Sequence, residues 1–190
     1  MKTQVAIIGA GPAGLLLGHL LRAEGIDCVV IERQTGDYVL SRIRAGVLEQ
    51  ITVSRMERLG LDARLKAEGL VEAGFNLADG ERLIRIDCLG LTGKTVTVYG
   101  QTESTRDLME AAPGRGLEVI YSVEDVALHD IETDAPSVTY RKDGAGHRIE
   151  PLPHQVGQRG VAAGVIQAGD IAGFDHVVPA AAVELEGPCA

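Results

Sequence analysis

Three glycines near the start of the chain have the spacing G-x-G-x-x-G, at Gly9, Gly11 and Gly14. In such a loop the first glycine permits a tight turn and the second lets a pyrophosphate approach the backbone. The third allows close packing of a helix on a strand, and Pro12 and Ala13 complete the loop at the start of that helix. Since the N–H groups that open a helix attract phosphate, the hexad predicts dinucleotide binding; a tight turn without a ligand is the alternative.

An acidic residue stands where a dinucleotide site needs one. Glu32 follows the apolar residues 28–31 and comes 18 positions after Gly14. A carboxylate at the end of the second strand can accept hydrogen bonds from both ribose hydroxyls. Because FAD and NAD sites share this acid, the residues alone leave the choice between the two cofactors open.

The elements that position these residues follow from the apolar pattern. Residues 4–8 and 28–31 are short β-branched runs typical of buried parallel strands, and residues 15–23 between them have the apolar face of a helix, which Gly25 ends. This β-α-β unit predicts a right-handed crossover. We therefore expect an α/β fold with a Rossmann-like, mainly parallel sheet.

The remaining chain predicts further helices and a small antiparallel layer. Helices are expected over 44–59, 61–68 and 102–111, a hairpin over 75–86, strands over 95–99, 117–122 and 137–142, and a turn at 143–146. Residues 151–190 contain only five charged side chains and too few residues for a separate core. They are expected to form strands and loops that complete a single domain, residues 1–190.

Composition argues against several classes of protein, although a local basic patch remains compatible with it. The 190 residues carry a net charge of −9, which disfavours nucleic acid and anionic membranes as partners. No apolar run approaches the ~20 residues of a membrane span, and the first residues do not form a secretory signal. Three cysteines without a CxxC pair fit the reducing cytoplasm and predict no metal site.

Four segments closely resemble the bacterial 4-hydroxybenzoate 3-monooxygenase (p-hydroxybenzoate hydroxylase) family. They are residues 1–12, 31–34, 42–50 and 94–103, and the resemblance extends over about residues 1–150. It implies a class A flavoprotein monooxygenase, an oxidoreductase that uses FAD, NADPH and O₂ to hydroxylate a phenol. By the same resemblance, Pro12 within the hexad favours a flavoprotein.

The resemblance assigns roles at the nucleotide end of the cofactor. Gly9, Gly11 and Ala13 would border the FAD pyrophosphate, although the family often has serine at the last position. Glu32 would bind the adenosine ribose. The segment that contains Arg33, Gln34 and Tyr38 would select NADPH through its 2′-phosphate.

The resemblance also assigns roles at the flavin end. Arg42, Arg44 and Gln101 would contact the flavin side of FAD, and Arg44 would be catalytic, near the substrate carboxylate and the NADPH path. Arginine suits phosphate and carboxylate because it binds both bidentately. Asp170, in a stretch similar to a later family motif, would bind the ribityl chain; a turn-forming aspartate is the alternative.

The chain departs from the family after about residue 150, where the family's substrate-binding sheet is absent. This departure suggests an engineered or shuffled minimal version. We expect NADPH oxidation by O₂ that is uncoupled and forms H₂O₂ instead of a hydroxylated phenol. The alternatives are an inactive FAD- or ADP-binding scaffold and a domain that self-associates through an uncovered apolar face.

Overall fold

The computed structural model describes residues 1–42, 46–133, 135–152 and 164–167. The chain forms two compact units. One contains Met1–Val39 together with the chain from Ala112 onward, and the other is Leu40–Ala111.

The elements have the following bounds. The helices are α1 Pro12–Ala23, α2 Gly36–Ser41, α3 Gln50–Leu59, α4 Ala63–Glu68, α5 Cys88–Thr92 and α6 Gln101–Ala111, with a 3₁₀ turn at Pro113–Arg115. The strands are β1 Lys2–Thr3, β2 Val5–Ile8, β3 Cys28–Ile31, β4 Val47–Glu49, β5 Leu70–Glu72, β6 Phe75–Asp79, β7 Arg82–Ile86, β8 Val96–Val98, β9 Glu118–Ile120, β10 Glu124–His129, β11 Ser137–Lys142, β12 Ala145–Pro151 and β13 Gly164–Gln167.

A parallel sheet of order β13-β2-β3-β9 lies at the centre of the first unit. Helix α1 connects β2 to β3 and packs on the sheet through Leu15, which is fully buried, and Gly18. A Cβ at Gly18 would lie 2.9 Å from the terminal methyl groups of Leu117, so the Leu117 side chain would have to shift to admit a larger residue. The β-α-β unit predicted from the sequence is thus confirmed.

The first unit also contains a mixed sheet of order β1-β12-β11-β10. Its strands pair antiparallel except β1, which lies parallel to β12. An aliphatic core with one tyrosine joins residues of both sheets. Its buried members are Ala6, Val29, Ile31, Val123, Val138, Tyr140 and Ile149.

The second unit is built on antiparallel strands and the four helices α3 to α6. Strands β4 and β5 flank β8, while β6 and β7 form a hairpin. Gly80 turns the hairpin with φ +58°, a value that glycine adopts without strain. Helices α3, α4 and α6 supply the buried residues Met56, Leu65 and Leu108.

The predicted fold class is confirmed: an α/β fold with a parallel sheet and added antiparallel strands. The predicted helix over 44–59 is wrong in its first part, because Val47–Glu49 pairs with β8 and the helix begins at Gln50. Strands β1, β5, β10 and β12 and helices α2 and α5 have no counterpart among the expected elements. Strand β13 pairs with β2, and the single domain expected for 1–190 stays a prediction.

Across the described ranges, no helix is long and apolar enough to cross a membrane.

Candidate functional site

The glycine loop lies at the carboxyl end of β2, where a parallel sheet receives ligands. Gly9 has φ +108°, which a side chain would strain, and its N–H donates to the Ile31 carbonyl over 2.8 Å. A Cβ at Gly14 would lie only 2.0 Å from the Gly9 carbonyl oxygen. Two of the three glycines are therefore required by the fold of the loop itself.

Gly11 differs, because the fold does not need it. Its backbone is extended (φ −68°, ψ 174°), and a Cβ there would have no atom within 4 Å. The space beside its backbone is open, which is what close approach of a pyrophosphate requires. The role of Gly11 thus points to a ligand.

Helix α1 begins beside this open space. Pro12 takes the first helical position, where its missing N–H costs nothing, and Ala13 and Gly14 follow. The first-turn N–H groups of a helix have no intrahelical acceptors, and no acidic side chain stands in the first turn of α1 to neutralise them. The helix end therefore presents partial positive charge to an anion.

Glu32 is connected directly to the glycine loop. One carboxylate oxygen, Oε2, accepts the N–H of Ala10 over 2.9 Å, and the other, Oε1, accepts the N–H of Gln34 over 2.8 Å. Each oxygen retains a lone pair for a further donor such as a ribose hydroxyl. The carboxylate therefore holds the loop as well as presenting an acceptor beside it.

The chain after β9 fixes the backbone around Glu32, which sequence reasoning missed. Glu32 donates its N–H to Ile120 and accepts the N–H of Val123, while Ser122 donates to the Gln34 carbonyl over 3.0 Å. Tyr121 lies in this segment; burial first, and then the charge of Glu32, raise the pKa of its hydroxyl. No motif marks these contacts, because they arise from the parallel pairing of β3 with β9.

The structure brings together some of the cofactor-binding residues that the sequence predicts. Gly9, Gly11, Pro12, Ala13 and Gly14 form the loop, and Glu32 and Gln34 adjoin it. Arg33 follows Glu32 with an exposed side chain.

The other predicted residues lie elsewhere in the chain. Arg42, which is exposed, and Gln101, which opens α6, belong to the second unit. Arg44 and Asp170 lie outside the described residues. Within those residues, no group of three His, Cys, Asp or Glu side chains has the arrangement of a metal site.

A family model described as an FAD binding domain matches residues 2–185. The p-hydroxybenzoate hydroxylase of Acinetobacter baylyi is 46% identical over 182 residues, which are 94% of this chain and 45% of that protein. A probable NADH-specific resorcinol 4-hydroxylase of Rhodococcus jostii is 28% identical and matches 93% of this chain and 29% of its own length. The chain thus spans less than half the length of these relatives.

A solved structure agrees on the fold. The OxyS anhydrotetracycline hydroxylase of Streptomyces rimosus superposes with a TM-score of 0.66 at 22% identity, over 88% of this chain and 31% of its own. The resemblance stated from the four sequence segments is confirmed by these matches.

Proposed function

The chain belongs to the FAD-binding domain family, in the branch of aromatic hydroxylase-type monooxygenases, and from this we propose that it binds FAD and oxidises NADPH with O₂. The observation that carries the proposal is the open space at Gly11 beside a helix N-terminus, with the Glu32 carboxylate attached to the same loop. The pyrophosphate would lie against Gly9, Gly11 and Ala13. The adenosine ribose would donate its hydroxyls to Glu32.

The flavin end would be held by residues assigned through the resemblance. Arg42, Arg44 and Gln101 are proposed to contact the flavin, Asp170 the ribityl chain, and Arg33 and Gln34 the NADPH phosphate. Bound FAD would supply two-electron redox chemistry, while Arg44 would orient the anionic co-substrate by its charge.

The net reaction that we propose is NADPH + H⁺ + O₂ → NADP⁺ + H₂O₂. Hydroxylation needs a closed cavity that excludes water around the phenol. This chain spans 45% of the length of the Acinetobacter relative, so parts that enclose substrate in longer relatives need not be present in it. Assayed alone, the 190-residue chain should therefore release peroxide.

The test is an absorption spectrum after FAD is added and free FAD is removed by desalting, followed by NADPH without oxygen. Flavin bands that bleach with NADPH, and H₂O₂ equal to the NADPH consumed once air is admitted, would support the proposal. Flavin bands that NADPH does not bleach would instead support the alternative, an inactive FAD- or ADP-binding scaffold. The absence of flavin bands would contradict FAD binding. Stoichiometric dihydroxybenzoate with little peroxide would contradict uncoupling.

Two comparisons sharpen this assay. Since one relative is described as NADH-specific, NADH is run beside NADPH, and we expect NADPH to react faster. Arg44→Ala should slow flavin bleaching, whereas Arg55→Ala, an exposed position on α3 without a proposed role, should not.

We also propose the cytoplasm as the compartment. The support is the cysteine chemistry: Cys28 and Cys88 are both free thiols, which a reducing compartment preserves.

A further inference from the structure

Tyr99 joins the backbone at Gly46 to the start of helix α6, where Gln101 is a proposed flavin contact. It directly follows β8 and only 3% of it is exposed. Its N–H donates to the Gly46 carbonyl over 2.8 Å. A Cβ at Gly46 would lie 2.8 Å from the Tyr99 carbonyl oxygen and 2.9 Å from Gly100 Cα, so the two backbones touch without room for a side chain.

The hydroxyl of Tyr99 extends this connection to α6. It donates to Asp107 Oδ2 over 2.7 Å, and the other oxygen of Asp107 lies 3.2 Å from Arg64 Nε. Arg64, on α4, also donates to Glu103 over 2.7 Å. Helix α6, which begins at Gln101, is therefore tied to both the end of β8 and α4.

The charges favour this arrangement. Burial, and then the hydrogen bond to Asp107, raise the pKa of the Tyr99 hydroxyl, so it remains a donor at neutral pH. The hydrogen bond from Arg64 lowers the pKa of Glu103, which keeps that partner ionised. The side chain of Asp107 is only 11% exposed, so water competes little for its oxygens.

We propose that Tyr99 is a positioning residue: through its contacts with Gly46 and Asp107 it holds the backbone that carries Gln101 in the one arrangement that receives the flavin. The inference rests on the proposed FAD binding and adds residues to which no cofactor role was assigned. Neither Tyr99 nor Asp107 needs to touch the cofactor. Gln101 is two residues from Tyr99, so rotation of this backbone would move its side chain directly.

The test uses Tyr99→Phe, which keeps the ring and removes the hydroxyl, in the full chain at a temperature where far-UV circular dichroism shows it folded. FAD and ADP affinities are measured separately. ADP shares only the nucleotide end of FAD, which is assigned to the glycine loop and Glu32. We expect FAD to bind about tenfold more weakly, the effect of one lost hydrogen bond, and the visible bands of bound FAD to shift. ADP affinity should stay within about twofold of wild type.

Two further variants separate positioning from general stability. Tyr140→Phe changes a buried tyrosine of β11 and should alter neither affinity. Asp107→Ala should reproduce the FAD-selective loss, and Asp107→Asn, which keeps an oxygen acceptor for Tyr99, should recover part of it.

Two results would overturn the inference, and a third would contradict the proposed function. Unchanged FAD affinity and an unchanged flavin spectrum in Tyr99→Phe would remove the positioning role. Equal losses for FAD and ADP would show a general structural effect. A wild-type chain that binds ADP or nothing, but not FAD, would instead contradict the proposed function on which the inference rests.

Discussion

At Gly11, a single substitution can change ligand binding without changing the stability of the fold. Its Cβ position is open and its φ of −68° suits alanine, so Gly11→Ala should leave the apo protein as stable as wild type. The added methyl would occupy the space proposed for the pyrophosphate, so FAD affinity should fall at least about tenfold. Thermal unfolding without FAD and a flavin titration measure the two effects.

Matched glycines give the controls for this substitution. Gly146→Ala, also in open space but on β12, should change neither quantity. Gly14→Ala should lower stability without any ligand, because its Cβ would clash with the Gly9 carbonyl at 2.0 Å. If Gly11→Ala bound FAD like wild type, the phosphate would have to lie elsewhere.

Glu32 has two functions that one substitution affects together. In Glu32→Gln one oxygen becomes an NH₂ group, which cannot accept an N–H, so either Ala10 or Gln34 loses its acceptor. We expect the apo protein to lose about 1–2 kcal/mol of unfolding free energy, and FAD affinity to fall as well. Urea unfolding measures the first change and flavin titration the second.

The apo measurement is the decisive one for Glu32. An unfolding free energy equal to that of wild type would show that the carboxylate does not hold the loop. Glu24→Gln, at the end of α1 and outside the loop, is the matched control and should have little effect on FAD affinity.

At the scale of elements, the sequence predicts best what short-range pattern decides. The β2-α1-β3 unit was predictable because two β-branched runs flank an apolar helix face and Gly25, at φ +74°, ends the turn after it. Strand β4 was mistaken for helix because Val47, Leu48 and Ile51 have helical spacing, while pairing with β8 decides the structure. Strand β10 was missed because most of its residues are exposed and no apolar alternation marks it.

In the candidate site, too, some residues are predictable from local sequence pattern and others are not. The glycine loop and Glu32 follow from residue chemistry and spacing. The roles of Arg42 and Gln101 came only from the family resemblance, since an arginine in a loop has no signature of its own. The contacts of Tyr99 with Gly46 and Asp107 join positions 53 and 8 residues apart, so no local pattern could have predicted them.

Burial of β3 has a consequence for stability at alkaline pH. Burial raises the pKa of the Cys28 thiol to about 11, with the charges of Arg22 and Asp27 as smaller, opposing influences. Between pH 9 and 11 the unfolded chain loses this proton while the folded chain keeps it, so stability should fall as pH rises and level off above the folded pKa. The loss attributable to Cys28 should be about 2 kcal/mol.

Urea unfolding of wild type and Cys28→Ala at pH 8 and pH 10.5 tests this expectation. The pKa values of Tyr99, Tyr121 and Tyr140 are also raised by burial, so these tyrosines add to the fall in stability over this range. Because they are common to both proteins, the difference between the two pH slopes isolates the thiol. The variant should lose less stability than wild type over the interval. Parallel slopes would mean that the thiol is not desolvated.

At the scale of the whole molecule, the second unit exposes apolar surface. One row of the β4-β8-β5 sheet contains three cross-strand neighbours, Val47, Val98 and Leu70. Their exposed fractions are 55% for Val47, 43% for Val98 and 64% for Leu70. Such an exposed apolar row favours burial against a similar surface. In a purified sample of this chain alone, the partner available is a second copy, with the same row facing itself.

We therefore expect the 190-residue chain to form dimers as its concentration rises, and Val98→Lys to keep it monomeric. A lysine at the centre of the row would place two like charges face to face in the dimer and would cost desolvation of both. Sedimentation velocity over a hundredfold range of concentration measures the association. The control is Ile131→Lys, an exposed apolar position in the first unit, which should dimerise like wild type.

A wild-type chain that stays monomeric throughout would contradict self-association, whereas dimers that persist in Val98→Lys would place the contact on another surface. Because the net charge of −9 makes two copies repel, higher salt should strengthen the association, which is the opposite of what an interface held by ion pairs would do.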